Sequence, residues 1–232
     1  MRELHDNGRP DRLPHGHSHG TRRDGDLVVK DFSGPDAPTR ARREAGVLRA
    51  VAPVLPVPTL KHAEGNVVTT GYVEGRHGQD LLGPDTAAGV LASSGRMLAR
   101  VHGVPVAAVA PRHHGPGVLV HGDFGPQNLL FGVGDLSVVA VLDWEWAHIG
   151  DPVEDLAWCE WMVRTHHPDC VDALPHLYYG YGAAMPPWQR RHAAMVAKCR
   201  ALHRYAVERK DGTASQWQRR IAVTSAWQNP GR

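Results

Sequence analysis

Cysteine is scarce in this chain. Cys159, Cys170 and Cys199 are the only three, no two form a CxxC pair, and three thiols cannot all pair with one another. A disulfide framework is therefore not expected, and reduced thiols in a cytoplasmic protein are the simple reading. Long apolar stretches are also missing: nowhere do about 18 uncharged apolar residues run together, and the first dozen residues are charged and polar. Neither export nor membrane spanning is indicated. No sign of charge dominates, since 26 Lys and Arg face 24 Asp and Glu, for a formal net charge of +2. The bases are scattered rather than gathered in one block, which gives no argument for nucleic acid or an anionic membrane as partner.

What is present is ordinary globular material. A hydrophobic fraction of 42% that includes 7 Trp argues against disorder, and 232 residues suffice for one domain or two closely packed lobes. Residues 1–12 read as a loose polar leader. Asp24-Gly25 is a hairpin turn ahead of a Leu27 to Phe32 strand that carries Lys30. Asp36 can cap a helix from about Ala37 to Ala52, with Pro38 in its first turn, Glu44 mid-helix, and Pro53, Pro56 and Pro58 as the stop. Thr59 to His62 and Asn66 to Tyr72 read as a second hairpin. The chain changes character at about residue 75, so 13–75 is expected to be a small β-rich lobe and 76–232 a larger, mainly helical one. An amphipathic helix is expected from Asp85 to His102 and a loop from Gly103 to Gly117. Short strands follow at Val118 to His121, Leu129 to Phe131 and Val138 to Leu142, with helices near 152–165, 170–181, 187–210 and 213–228.

Chemistry concentrates in His121-Gly122-Asp123-Phe124-Gly125-Pro126-Gln127-Asn128, with Asp143 at the end of the next apolar run. An acid and an amide on one loop, with a second acid nearby, can converge on a metal-bound phosphate. Phosphoryl transfer needs the nucleotide phosphates held, their charge neutralised by Mg²⁺, and the acceptor hydroxyl aligned for in-line attack. Magnesium takes hard oxygen ligands and keeps several waters, so Asn128 and Asp143 are suitable ligands. Asp123 is then left to accept a hydrogen bond from the attacking hydroxyl and take its proton. A lone acid on a loop is more often a turn residue. The agreement in order and spacing with Asp143 and Gly150-Asp151-Pro152 is what favours a site. Asp151 and Asp155 are read as structural supports at the start of a helix. Trp144, Trp146, Trp158 and Trp161 are read as packing residues, one of which could wall an acceptor site.

The combination H-G-D-F-G-P-Q-N, then L-D-W-E, then I-G-D-P-V-E-D-L-A resembles the aminoglycoside phosphotransferase and choline kinase-like family. The likeness is dense from about Leu119 to Trp158 and colinear back to about Gly16. It implies an α+β, protein-kinase-like bilobal fold, Mg²⁺ as cofactor, ATP or GTP as co-substrate and a small-molecule hydroxyl acceptor. By the same resemblance Asp123 is the catalytic base or the acid that orients the hydroxyl, Asn128 and Asp143 bind Mg²⁺, and His121 supports the catalytic loop. Lys30, held by an ion pair with Glu44, is expected to meet the α/β-phosphates. Gly16, Ser18 and Gly20 are expected to cover the phosphates, and Tyr72 and Val73 to lie beside the adenine. The His15 to His19 tract departs from GxGxxG, and its glycine and serine suit a phosphate loop better than a metal site.

The acceptor is open at this level: an aminoglycoside or other antibiotic, or a metabolite such as choline, homoserine or a sugar-like alcohol. A polycation calls for acids, and Glu145, Glu154, Glu160, Asp169 and Asp172 are available, yet the last helices also carry many arginines. The chain looks short for the family after Pro187, which points to a reduced or atypical acceptor pocket. A non-catalytic nucleotide-binding relative of the same fold is the alternative. Protein kinase activity is disfavoured because the interval from Asp143 to Asp155 is too short for an activation segment. A monomer or homodimer is expected.

Overall fold

The computed structural model describes residues 20–229. The Asp24-Asp26 turn, with Gly25 at φ 57°, joins β1 (Gly20–Asp24) to β2 (Leu27–Asp31) in an antiparallel hairpin that sets Lys30 opposite Thr21. Helix α1 (Ala37–Val51) follows, then β3 (Leu60–Glu64) and β4 (Val67–Gly71), giving one antiparallel sheet in the order β1-β2-β4-β3. Lys30 thereby lies across from Val68 on an inner strand, buried at 7% exposure. Along α1 the buried positions Ala37, Ala41, Ala45, Leu48 and Val51 recur at helical spacing and turn one face inward. Arg40 and Glu44 share that face, so the helix carries two charges into the core.

Asp36 does not cap α1 with its side chain. Its carboxylate instead accepts hydrogen bonds from Arg40 Nε at 2.9 Å and from the Tyr205 hydroxyl at 3.0 Å. The charged and phenolic donors win over the backbone N–H groups, and Asp36 becomes a link to a distant helix.

Beyond Gly71 the strands belong to other sheets. β5 (Arg76–His77) leads into the short α2 (Gly78–Leu81), followed by α3 (Ala87–His102), α4 (Val106–Val109) and β6 (Val118–Val120). Next come β7 (Leu129–Phe131), β8 (Val138–Val141) and β9 (His148–Gly150). β5, β7 and β8 form one three-stranded sheet and β6 pairs with β9. The two- and three-residue partners β5 and β9 and the small helices α2 and α4 are too short to leave a hydrophobic period in the sequence, and none of them was expected. Helices α5 (Val153–His166), α6 (Leu174–Tyr181), α7 (Trp188–Arg209) and α8 (Ala214–Ser225) complete the helical lobe. The architecture is α+β, a small sheet with one helix set on a larger, mainly helical part.

One buried cluster runs from Phe32 and Leu48 in the small lobe through Leu91, Phe124 and Trp144 to Leu177. A second gathers Trp158, Trp161, Met195 and Cys199 beneath Trp217 and Ile221, joining α5, α7 and α8. Helices α3 and α6 cross at glycines. A methyl group on Gly95 would meet the backbone of Leu177 and Tyr181, and one on Gly180 would meet the backbone of Ala92. Gly95→Ala should therefore destabilise the protein by about 1–3 kcal/mol despite the better helix propensity of alanine. Urea unfolding is the measurement, and an unchanged midpoint would show that the two helices can separate freely.

Candidate active site

Strand β6 runs into the loop His121-Gly122-Asp123, and a fully buried carboxylate holds the turn. Asp155, in the first turn of α5, accepts the backbone N–H of His121 at 2.6 Å and of Gly122 at 2.9 Å, and lies 3.2 Å from His102 Nε2. The His121 ring is buried and used at both nitrogens: Nε2 donates to the Leu142 carbonyl at 2.8 Å and Nδ1 accepts the Asp123 N–H at 3.2 Å. So engaged, His121 can brace the loop against β8 and has no nitrogen free for a reactant. Asp151 accepts the Val153 N–H at 3.0 Å and Arg190 at 2.6 Å, away from the loop.

The carboxylate of Asp123 is held on each oxygen. Trp158 Nε1 donates to Oδ1 at 2.8 Å, and Asn128 Nδ2 donates to Oδ2 at 3.0 Å. Burial pushes the Asp123 carboxyl above its ordinary value, while the ammonium of Lys198 and the Trp158 N–H pull it back. Because the Asn128 nitrogen is spent on Asp123, its amide oxygen is the atom available to a cation.

Asp143 follows β8 in the left-handed region, φ 62° and ψ 59°, a conformation that an aspartate tolerates better than most residues. Lys30 Nζ meets its Oδ1 at 2.5 Å and Glu44 Oε2 at 2.7 Å, with Glu145 Oε1 at 3.6 Å. Glu145 is also paired with Arg40, and its backbone carbonyl accepts Arg43 at 2.8 Å. Burial alone would lower the Lys30 pKa, but Asp143, Glu44 and Glu145 outweigh it and keep the ammonium charged. Burial, with Asp143 and Glu145 adding to it, raises Glu44 against the pull of Lys30. Two cations, Lys30 and Arg40, thus face the three acids Glu44, Asp143 and Glu145.

These groups open on a cleft of about 600 Å³ between the lobes, lined by Thr21, Val28, Val68, Tyr72 and Val73 on one side. Asp123, Asn128, Leu130, Leu142 and Asp143 line the other, with Met162 and His166 from α5. Among the described residues no three His, Cys, Asp or Glu are gathered as a self-sufficient metal centre. The donors do fit Mg²⁺ bound jointly with phosphates: one amide oxygen, one carboxylate and a local surplus of acid.

Of the sequence-predicted residues, Lys30, Glu44, Tyr72, Val73, Asp123, Asn128 and Asp143 all line this cleft. Gly16 and Ser18 lie outside the described residues. Gly20 opens β1 opposite Asp31, and its neighbour Thr21 reaches the cleft instead. The supposed supply of acids for a polycation shrinks, since Glu145 is buried against Arg40 and Glu160 is buried against Arg191, Arg164 and Tyr178. Sequence reasoning missed Trp158 and Lys198 as neighbours of Asp123 and Glu145 as part of the Lys30 network. Only the closeness of Glu145 to Asp143 in sequence could have signalled its place.

A two-lobed cleft with an acid-amide loop and a buried lysine defines a phosphotransferase class of site. The model of the phosphotransferase enzyme family matches residues 13–117 and 106–191, and the chain belongs to that family. Its fold is that of the protein-kinase-like phosphotransferases. A macrolide 2'-phosphotransferase from Brachybacterium faecium superposes with a TM-score of 0.65 at 21% identity, covering 95% of this chain and 93% of that one. The GDP complex of aminoglycoside 2'-phosphotransferase-IIIa gives a TM-score of 0.73 at 14% identity, covering 94% and 93%. At such identities the likeness is one of fold. Human acyl-CoA dehydrogenase family member 11 is 51% identical over 85 residues, 37% of this chain and 10% of the relative. Mouse family member 10 is 52% identical over 40 residues, 17% and 4%. The chain thus spans about a tenth or less of the length of these curated relatives.

Asp155 sets a pH dependence. Burial raises its pKa, but the hydrogen bond to His102 and the backbone N–H of His121 overcome this and hold it below the usual carboxylate range. Its stabilisation is therefore present above the unfolded value of about 3.9 and lost as pH falls through the lower folded value. Asp155→Asn should cost about 2–4 kcal/mol at neutral pH and flatten the loss of stability below about pH 4. Thermal melts across pH are the check, and an unchanged acid limb would contradict the assignment.

Proposed function

We propose that this protein is a kinase-type phosphotransferase that moves the γ-phosphoryl group of ATP or GTP to a hydroxyl of a small molecule. The observation that carries this reading is the meeting, in one interlobe cleft, of Asp123, Asn128, Asp143 and the Lys30–Glu44 pair. In this reading Lys30 binds the nucleotide phosphates, and Tyr72 and Val73 flank the base. Asn128 and Asp143 hold Mg²⁺, which when bound neutralises the phosphate charge. Asp123 orients the acceptor hydroxyl and takes its proton as the acceptor oxygen bonds to the γ-phosphorus and the bond to the β–γ bridging oxygen breaks. The products are a phosphate ester and a nucleoside diphosphate. His121 and Asp155 keep the loop in place. We assign residues 20–75 to the nucleotide side and 76–229 to catalysis and acceptor binding.

Cys159, Cys170 and Cys199 are buried and unpaired, which suits a reducing compartment such as the cytoplasm, and no described helix is long and apolar enough to cross a membrane. The fold relatives include a gentamicin complex of aminoglycoside phosphotransferase (2")-IIa, which supports a small acceptor in the cleft.

Asp123→Asn should lower kcat by about 10²–10⁴-fold while Mg²⁺-nucleotide still raises the melting temperature. Asp143→Ala and Asn128→Ala should instead weaken that nucleotide-dependent stabilisation. Coupled nucleotide-consumption assays and thermal shift separate the two effects. Full activity in Asp123→Asn would sink the mechanism.

A further inference from the structure

On one flank of Asp123 stands a cation with no ion-pair partner among the described residues. Lys198, half-buried on α7, makes no hydrogen bond or ion pair among the described residues. Its ammonium lies 5.6 Å from the ring centroid of Trp146 and 5.7 Å from that of Trp158, within cation–π range. Trp158 is the ring whose N–H holds Asp123 Oδ1, whereas Asn128, the metal-side residue, holds Oδ2. Lys198 is therefore tied through Trp158 to the Oδ1 side of Asp123, while Asn128 holds Oδ2.

The surrounding wall has the same sign. Arg220 of α8 lies 4.5 Å from the Trp217 centroid and 5.5 Å from that of Trp161, within the cluster that contains Trp158. Helix α8 carries no acid, and the one acid of α7, Glu208, is exposed near its C-terminus. The acids of α5 are already committed: Glu154 to His148, Asp155 to the catalytic loop, and Glu160 to Arg191 and Arg164. A polycationic acceptor near Asp123 would meet Lys198 and find every carboxylate of α5 already paired.

We infer that the acceptor is an alcohol that also carries an anionic group, and that Lys198 binds that group while Asp123 holds the hydroxyl. The inference rests on the phosphotransferase reading of the cleft. An ammonium steadied between two indole faces loses less mobility on binding an anion than a free surface lysine would.

Three acceptors matched in ring and secondary hydroxyl test the charge: 3-phenyllactate (anionic), 1-phenyl-2-propanol (neutral) and 1-amino-3-phenyl-2-propanol (cationic). Transfer is followed at saturating Mg²⁺ and nucleotide, and binding is followed without turnover by tryptophan fluorescence in Mg²⁺ and nucleoside diphosphate. The wild type should favour 3-phenyllactate about tenfold or more in Kd and in kcat/KM. Lys198→Met should bring the ratio near one, and Lys198→Arg should keep most of it. Equal binding of the three compounds by the wild type overturns the inference whether or not the variants fold. So does a Lys198→Met protein that lowers kcat for all three alike with the ratio intact, which would assign the lysine to the transferred phosphate. Anion preference in binding with no transfer to any compound supports the inference and counts against the phosphotransferase reading alone.

Discussion

A lysine ammonium buried at 7% exposure is tolerable only if it is paired, and the three partners of Lys30 come from two distant places in the chain. Glu44 arrives on α1, while Asp143 and Glu145 arrive beyond β8. Satisfying this one charge requires the small sheet, its helix and a strand end of the helical lobe to be in register together. Arg40 ties the same helix to Glu145 a second time, and Asp36 carries the link onward to Tyr205 and Arg209 on α7. The cleft is thus a product of lobe docking, and removing Lys30 would leave Glu44 buried without its cation.

The same arrangement leaves the cleft with a surplus of acid. Glu44, Asp143 and Glu145 outnumber Lys30 and Arg40, and the raised pKa of Glu44 reflects burial and crowding by the other two acids. Asp143 accepts Lys30 on one oxygen while its side chain stays 38% exposed to the cleft. Its left-handed backbone aims a carboxylate from the end of β8 at the point where Asn128 also stands. Backbone strain of this kind persists where the surroundings over-determine the conformation, and here a short 3-10 turn at Trp144–Trp146 and the Lys30 contact do so.

How much was legible in the sequence follows from how far apart the cooperating residues lie. The H-G-D-F-G-P-Q-N loop and the Asp143 strand are contiguous and could be read directly, as could the apolar face of α1. The Lys30–Glu44 pair spans 14 residues and came through family resemblance rather than through spacing. Arg40 with Glu145, 105 residues apart, and Trp158 with Asp123, 35 apart, leave no pattern in a single sequence. Asp36 was legible as a cap by residue type, yet Arg40 and Tyr205 offered stronger donors from elsewhere in the fold. Trp158 was read as packing because one residue type does both jobs: its ring stacks on Trp161 at 4.5 Å while its N–H reaches the acid.

That double use explains why the acid sits where it does. In the role we propose for it, Asp123 needs a fixed direction and lone pairs left over for the substrate. Trp158 and Asn128 each give Asp123 one neutral donor, so both oxygens are oriented while acceptor capacity remains on each. Charged donors in direct contact would hold the carboxylate more firmly but would make it a poorer base. Lys198 is kept at a remove, over the indole faces, close enough to moderate the effect of burial without closing the acid off in a salt bridge. The tryptophan is therefore both the support of the base and the spacer that keeps the lysine's charge available to an incoming ligand.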